Sequence, residues 1–158
     1  MSWSRRGLLL ALPAAALAGC GFTPAYAPSG PGAALFGATR YDVPATPEGF
    51  WLRARLQERL GSGAGPYGLA VTLTLTPRDA ALSPSGQVVR RALRGAATWA
   101  LTGPEGELAT GEVSTFTAWS SSGSTVAVQT AEEDARERLA RALADLVVTE
   151  ALAALAGP

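Results

Sequence analysis

Histidine and lysine are both absent from this 158-residue chain, and cysteine occurs once, at Cys20. Without an imidazole, every histidine-based catalytic triad is excluded, as are zinc sites built on histidine. A lone thiol can neither close an intrachain disulfide nor form a thiolate cluster. All thirteen basic residues are arginine, balanced by thirteen acids, for a formal charge of zero. No basic block stands out, which argues against general nucleic-acid binding. The serines at Ser120, Ser121 and Ser122 have no base near them in sequence and are not read as nucleophiles.

What the chain does have begins at its N-terminus. Arg5 and Arg6 form a short positive segment, followed by the uncharged run Gly7 to Ala18. At about twelve residues that run fits the apolar part of an export signal and falls short of the ~20 residues that span a bilayer. It ends in Leu17, Ala18, Gly19 and Cys20, a sequence that resembles the lipobox of bacterial lipoproteins. The resemblance implies cleavage before Cys20, a diacylglyceryl thioether on its sulfur and acylation of the new amine. Several acyl chains hold firmly, since each buried methylene contributes ~0.8 kcal/mol. Gly21 rather than aspartate follows the cysteine, which by the sorting rules of such proteins favours the outer membrane. The Arg5-Arg6 pair also resembles a twin-arginine export motif, so Sec and twin-arginine export both remain open.

Residues 1–19 are thus expected to be a removed signal peptide, which leaves 139 residues with 11 basic and 13 acidic side chains, a balance of −2. That length supports one domain with one core. Residues 20–37 carry three prolines and four glycines, expected to prevent regular structure and form a lipidated tether. Residues 38–158 form the single domain. Thr39 to Val43 reads as a short first strand. Thr46 and Pro47 have the pattern of an N-cap and first helical residue, with Leu52, Leu56 and Leu60 as the apolar stripe and Gly61 as the stop. Arg53, Arg55, Glu58 and Arg59 lie off the stripe and are expected to face solvent. Gly61 to Gly68 is a glycine-rich turn lacking the Lys-Ser/Thr of a phosphate-binding loop.

Leu69 to Thr76 alternates apolar and polar residues without error, the pattern of a half-buried strand. Pro77 to Gly86 is expected to be a loop. A third strand runs from Val88 to Leu101, with Leu93, Ala97, Trp99 and Leu101 on one face and Arg90, Arg94, Thr98 and Ala100 on the other. A fourth runs from Glu107 to Ala118, and its change of apolar parity between Leu108 and Val113 suggests a bulge near Gly111. Thr130 with Glu133 has the form of a capping box, opening a long helix from Ala131 to Ala156. Its expected buried stripe is Ala131, Ala135, Leu139, Ala142, Leu143 and Leu146. Glu132/Arg136, Asp134/Arg138 and Glu137/Arg141 are spaced for i, i+4 ion pairs.

The order β-α-β-β-β-α predicts an α/β (α+β) fold in which two helices pack on one face of a four-stranded, mostly antiparallel sheet. The other face would present Thr72, Thr74, Arg90, Arg94 and Thr98.

Leu17 to Tyr26, the Arg90, Arg91, Arg94 and Gly95 group leading into a strand with Trp99 and Leu101, the Gly111-centred return strand and the helix from Ala131 to Ala140 together resemble the lipopolysaccharide-assembly lipoprotein family (LptE). Ala25 and Trp119 stand where many members have Leu and Tyr. The resemblance implies a two-helix, four-strand sandwich on the periplasmic side of the outer membrane, anchored by Cys20. It implies a plug for a large outer-membrane β-barrel (LptD-like) that delivers lipopolysaccharide to the outer leaflet, with no chemistry of its own, no cofactor and no metal. Arg90, Arg91 and Arg94 form the densest cationic group on a predicted strand. Arginine suits bidentate phosphate contact, so these three are the candidate contacts to lipopolysaccharide or barrel. Two other readings compete: a periplasmic auxiliary lipoprotein of an ABC-type lipid transporter, and a lipid-anchored hydrolase.

Overall fold

The computed structural model of the protein describes Ala27 and residues 30–156. The expected signal peptide, Cys20, most of the expected tether and residues 157–158 lie outside the described residues. The elements are α1 (Pro31–Leu35), β1 (Thr39–Asp42), α2 (Pro47–Leu60), β2 (Tyr67–Leu82), β3 (Val88–Gly103), β4 (Gly106–Ser120) and α3 (Thr125–Ala156). From β1 onward this is the expected β-α-β-β-β-α order. The sheet order is β1-β2-β3-β4. β1 runs parallel to β2 because α2 carries the chain back between them, and the other two pairings are antiparallel.

Helix α2 follows its sequence signals. Thr46 Oγ1 accepts from the Gly49 amide at 3.1 Å, proline occupies the first turn, and Leu52, Leu56 and Leu60 are fully buried. Gly61 ends it at φ 75°, a left-handed conformation that favours glycine. The glycine-rich turn that follows is a close-packing device. Its residues run against Gly37 and Ala38, and a Cβ on Gly63 would sit 1.7 Å from the Gly37 carbonyl oxygen. The Tyr41 hydroxyl donates to the Gly61 carbonyl at 2.6 Å, and burial pushes its pKa up to about 12.

Six expectations need correction. The stretch 21–37 is not wholly irregular: Pro31–Leu35 is a short helix with proline in its first turn, drawn into order by the fully buried Leu35. β2 does not end at Thr76 but continues through Pro77 to Leu82, pairing Pro77 with Leu93. β1 reaches only Ala70 on the other side of β2, so Pro77 lies on an open edge, where a missing N–H is tolerated. The bulge in β4 falls at Leu108, where the register slips between Leu101/Ala109 and Thr102/Glu107. Gly111 instead makes room: it pairs with Trp99, and a Cβ there would lie 2.8 Å from the indole ring.

Helix α3 starts six residues before Ala131, at Thr125, with Ser124 Oγ accepting from the Ala127 amide at 3.3 Å. Thr130 is therefore inside the helix, its hydroxyl donating back to the Val126 carbonyl. The buried stripe of α3 also differs. Ala135, Leu139 and Leu143 belong to it, but Leu146 is 38% exposed, and burial passes to Ala140, Ala144, Val147, Val148, Ala151 and Leu152. The helix faces two partners at once, the sheet and α2, so its apolar surface is wider than one stripe. It approaches β3 most closely where small residues permit, and a Cβ on Gly95 would meet Leu143 Cδ1 at 2.8 Å.

The ion pairs expected along α3 all form: Glu132/Arg136, Asp134/Arg138 and Glu137/Arg141. The α2 charges do more than face solvent. Arg55 and Arg59 both reach Asp145, at 3.1 and 2.7 Å, and Glu48 holds Arg136 at 2.8 Å, so charged pairs tie the two helices together. Burial alone would raise the Glu48 pKa. Backbone and Arg136 hydrogen bonds outweigh it and hold the carboxyl below its ordinary value. Below the helices, Leu69, Val71, Leu93, Trp99, Leu101, Val113 and Trp119 complete the core.

Candidate functional site: the bare sheet face

Strand alternation gives the sheet two different faces. Leu93, Gly95, Ala97, Trp99 and Leu101 on β3 are buried beneath the helices, whereas Arg94 and Thr98 are exposed on the far side. On β2 the same far side carries Thr72, Thr74, Thr76 and Arg78, and on β4 it carries Thr110, Glu112, Ser114 and Phe116, all exposed. No described element covers these residues. The result is a floor of hydroxyls and methyls, with cations and one aromatic ring concentrated toward one end.

The register locates that concentration. Thr76, Arg94 and Phe116 form one cross-strand row, and Arg78, Ala92 and Ala118 form the next. Directly opposed residues have Cβ atoms about 5 Å apart, and diagonal neighbours remain within reach of long side chains. Arg94 therefore stands beside Phe116 and diagonal to Arg78. Arg78, Ala92, Arg94, Ser114, Thr115 and Phe116 line a shallow depression of about 450 Å³. Phe116 is 75% exposed, a position that water disfavours for a phenyl ring and that core packing does not require. Among the described residues Arg78, Arg90 and Arg94 make no ion pair or side-chain hydrogen bond, so their donors are available to an incoming anion.

The three arginines singled out in the sequence are not all brought together. Arg90 and Arg94 share the bare face. Arg91 has the opposite parity, pairs across the strands with Trp119 and Asp79, and its Nε lies 3.9 Å from the Asp79 carboxylate. Two members of the cluster escaped the sequence reading. Arg78 falls in the stretch Pro77 to Gly86 that its prolines mark as a loop, yet the even-numbered alternation of β2 runs on to it. Phe116 is an apolar residue of the fourth strand whose parity with Thr110, Glu112 and Ser114 places it outward.

The remaining depressions are of other kinds. One of about 380 Å³ at the opposite end is mainly apolar, lined by Ala34, Leu35, Tyr67, Pro104, Glu105, Leu108 and Leu155. Another lies between the starts of α2 and α3, where Glu48, Glu132 and Glu133 surround Arg136. Among the described residues no three side chains of the metal-ligating types converge, and no helix is long and apolar enough to cross a membrane.

Fold and face together define a two-layer α/β domain in which both long helices cover one side of a four-stranded sheet and the other side stands open and cationic at one end. This chain belongs to the LptE family, lipopolysaccharide-assembly, whose family model matches residues 38–151. Solved structures share the fold. A candidate lipoprotein from Caulobacter crescentus CB15 has 22% identity and a TM-score of 0.61, over 81% of this chain and 98% of that one. The rare lipoprotein B from Shewanella oneidensis has 15% identity and a TM-score of 0.56, over 73% and 92%. An uncharacterized lipoprotein B from Nitrosomonas europaea has 16% identity and a TM-score of 0.59, over 77% and 86%. No curated protein matches the chain at a significant level.

Proposed function

We propose that this chain is an outer-membrane lipoprotein, anchored through Cys20 on the periplasmic side, that plugs and helps assemble a large β-barrel translocon delivering lipopolysaccharide to the outer leaflet. The observation that carries this reading is the match of residues 38–151 to the lipopolysaccharide-assembly family. The bare sheet face supports it. Arg90 and Arg94, with Arg78 between their rows, offer phosphate-binding donors beside the exposed ring of Phe116, a combination suited to an anionic amphiphile. Arg91, turned to the other side of β3, is assigned to the barrel wall. The protein acts by binding and shape, with no bond made or broken by its own side chains.

The test is purification of tagged, lipidated protein from detergent-extracted envelopes, followed by identification of what accompanies it. A large β-barrel at stoichiometric level is the expected result. Its absence under conditions that preserve membrane complexes, or recovery with inner-membrane transporter components instead, would overturn the plug.

A further inference from the structure

At the end of the sheet away from the arginines lies a depression of a different chemistry. It measures about 380 Å³ and is walled by Leu35 of α1, Tyr67 of β2, Pro104 and Glu105 of the β3–β4 turn, Leu108 of β4 and Leu155 of α3. Leu108 is 44% exposed, so an apolar wall stands open to water. The one charge in the lining is the acid Glu105, which repels an anionic ligand. Gly103, beside the turn, is nine residues along β3 from Arg94. That separation is about 30 Å at the rise of a strand, too far for one small ligand to bridge.

We propose that the phenyl ring of Phe22 seats in this depression, with Tyr26 against its rim, so that the segment preceding α1 straps back onto the domain. Position, reach and chemistry name this occupant. Residues 22–26 lie outside the described residues and lead directly into the element that forms one wall. The Gly30 amide donates to the Ala27 carbonyl at 2.8 Å, a turn that folds the preceding chain back toward α1. Helix α1 is five residues long, about 7 Å. Phe22 stands five links before Ala27, a reach of about 17 Å. Between Cys20 and Gly30, Phe22 and Tyr26 are the only large apolar side chains. A phenyl ring needs no polar partner and suits a mainly apolar lining, whereas a tyrosine hydroxyl suits the wet edge beside Glu105. The strap does not depend on the plug reading; it defines how the anchor is joined to the domain. With Phe22 seated and Cys20 acylated, Gly21 alone separates the ring from the lipid. The α1 end of the sheet is then held at the membrane surface, and the cationic end points away from it.

Photocrosslinking within the full lipidated protein in detergent tests the seat. A benzophenone amino acid in place of Phe22 is expected to mark Pro104, Leu108 or Leu155 of the same molecule. The same probe in place of Phe50, exposed on α2, should mark none of them. Residue-resolved hydrogen exchange gives a second readout without a bulky probe. The Phe36 and Ala38 amides donate to the Gly32 and Leu35 carbonyls, and Phe22→Ala should speed their exchange at least fivefold. Leu108→Asp, on the half-exposed wall, should do the same, and the double variant should go no faster than the faster single one. Crosslinks between two molecules would give the depression to a second copy, and crosslinks to detergent alone would make it a site for acyl chains; either result overturns the strap. Unchanged exchange in Phe22→Ala, or additive effects in the double variant, would overturn it as well. Recovery of a β-barrel is scored separately. A barrel without the internal crosslink removes the strap and leaves the plug, and the crosslink without a barrel does the reverse.

Discussion

Arg90→Ala combined with Arg94→Ala tests the cationic end of the bare sheet face most directly. Both guanidiniums are exposed and have no ion pair or side-chain hydrogen bond among the described residues. Truncating them removes no native polar contact, so stability should stay within about 0.5 kcal/mol of the parent. Hydrogen bonds to charged groups contribute about 1.5–3 kcal/mol when well formed. On an open, solvated face that is reduced to about 1 kcal/mol per side chain. Loss of about 2 kcal/mol for the pair corresponds to roughly 30-fold weaker binding, at 1.4 kcal/mol per tenfold. The assay is a lipopolysaccharide titration at fixed ionic strength, run beside a thermal melt. Arg53→Ala, an exposed arginine on α2, removes one positive charge away from the sheet and should change affinity less than twofold. Unchanged affinity in the double variant with an unchanged melt would refute the assignment, and so would an equal loss in Arg53→Ala.

Other expected outcomes concern how the fold is held. Glu48→Gln should lower stability at neutral pH by about 1–2 kcal/mol, less than a fully buried pair because Arg136 is 35% exposed. The folded Glu48 pKa lies below the ordinary 4.5, so the pair's contribution is present above that value and lost as pH falls through the folded one. Denaturant melts should therefore show the gap between parent and Glu48→Gln closing below about pH 4.5, and a constant gap down to pH 2 would contradict this. Gly63→Ala should destabilise by about 2–3 kcal/mol, since its Cβ would collide with backbone that cannot swing aside; an unchanged melting temperature would disprove the close approach. Trp99→Phe should cost at least about 1 kcal/mol more than Trp119→Phe in denaturant melts. The Trp99 indole donates to Glu150 at 3.3 Å, whereas the buried Trp119 Nε1 has no hydrogen-bond partner among the described residues.

Local signals were legible because each is set by neighbouring residues. The Thr46-Pro47 cap, the leucine stripe of α2, the Gly61 stop and the alternation of Leu69 to Thr76 all stand in the structure as the sequence predicts. Expectations failed where a distant element overrides a local rule. Pro77 ends a strand only if both edges are paired, and the brevity of β1 leaves one edge open. Gly111 resembles a bulge until the indole of Trp99, twelve residues away, accounts for the missing side chain. Ser124 caps α3 before the Thr130 box can, because a helix starts at the earliest cap that the chain geometry allows.

The sequence by itself determined the order of elements, the two unlike faces of the sheet and the absence of histidine chemistry, since strand parity and composition require no knowledge of contacts. It also placed Arg90 and Arg94 on one face, whereas the turning of Arg91 toward Trp119 and Asp79 came from the assembled sheet. Only the tertiary structure decided that Arg78 and Phe116 join Arg94, because three strands must be set in register before residues 78, 94 and 116 become neighbours. The apolar depression beside α1 likewise appears only once the layers are assembled, since Leu35, Tyr67, Leu108 and Leu155 come from four different elements.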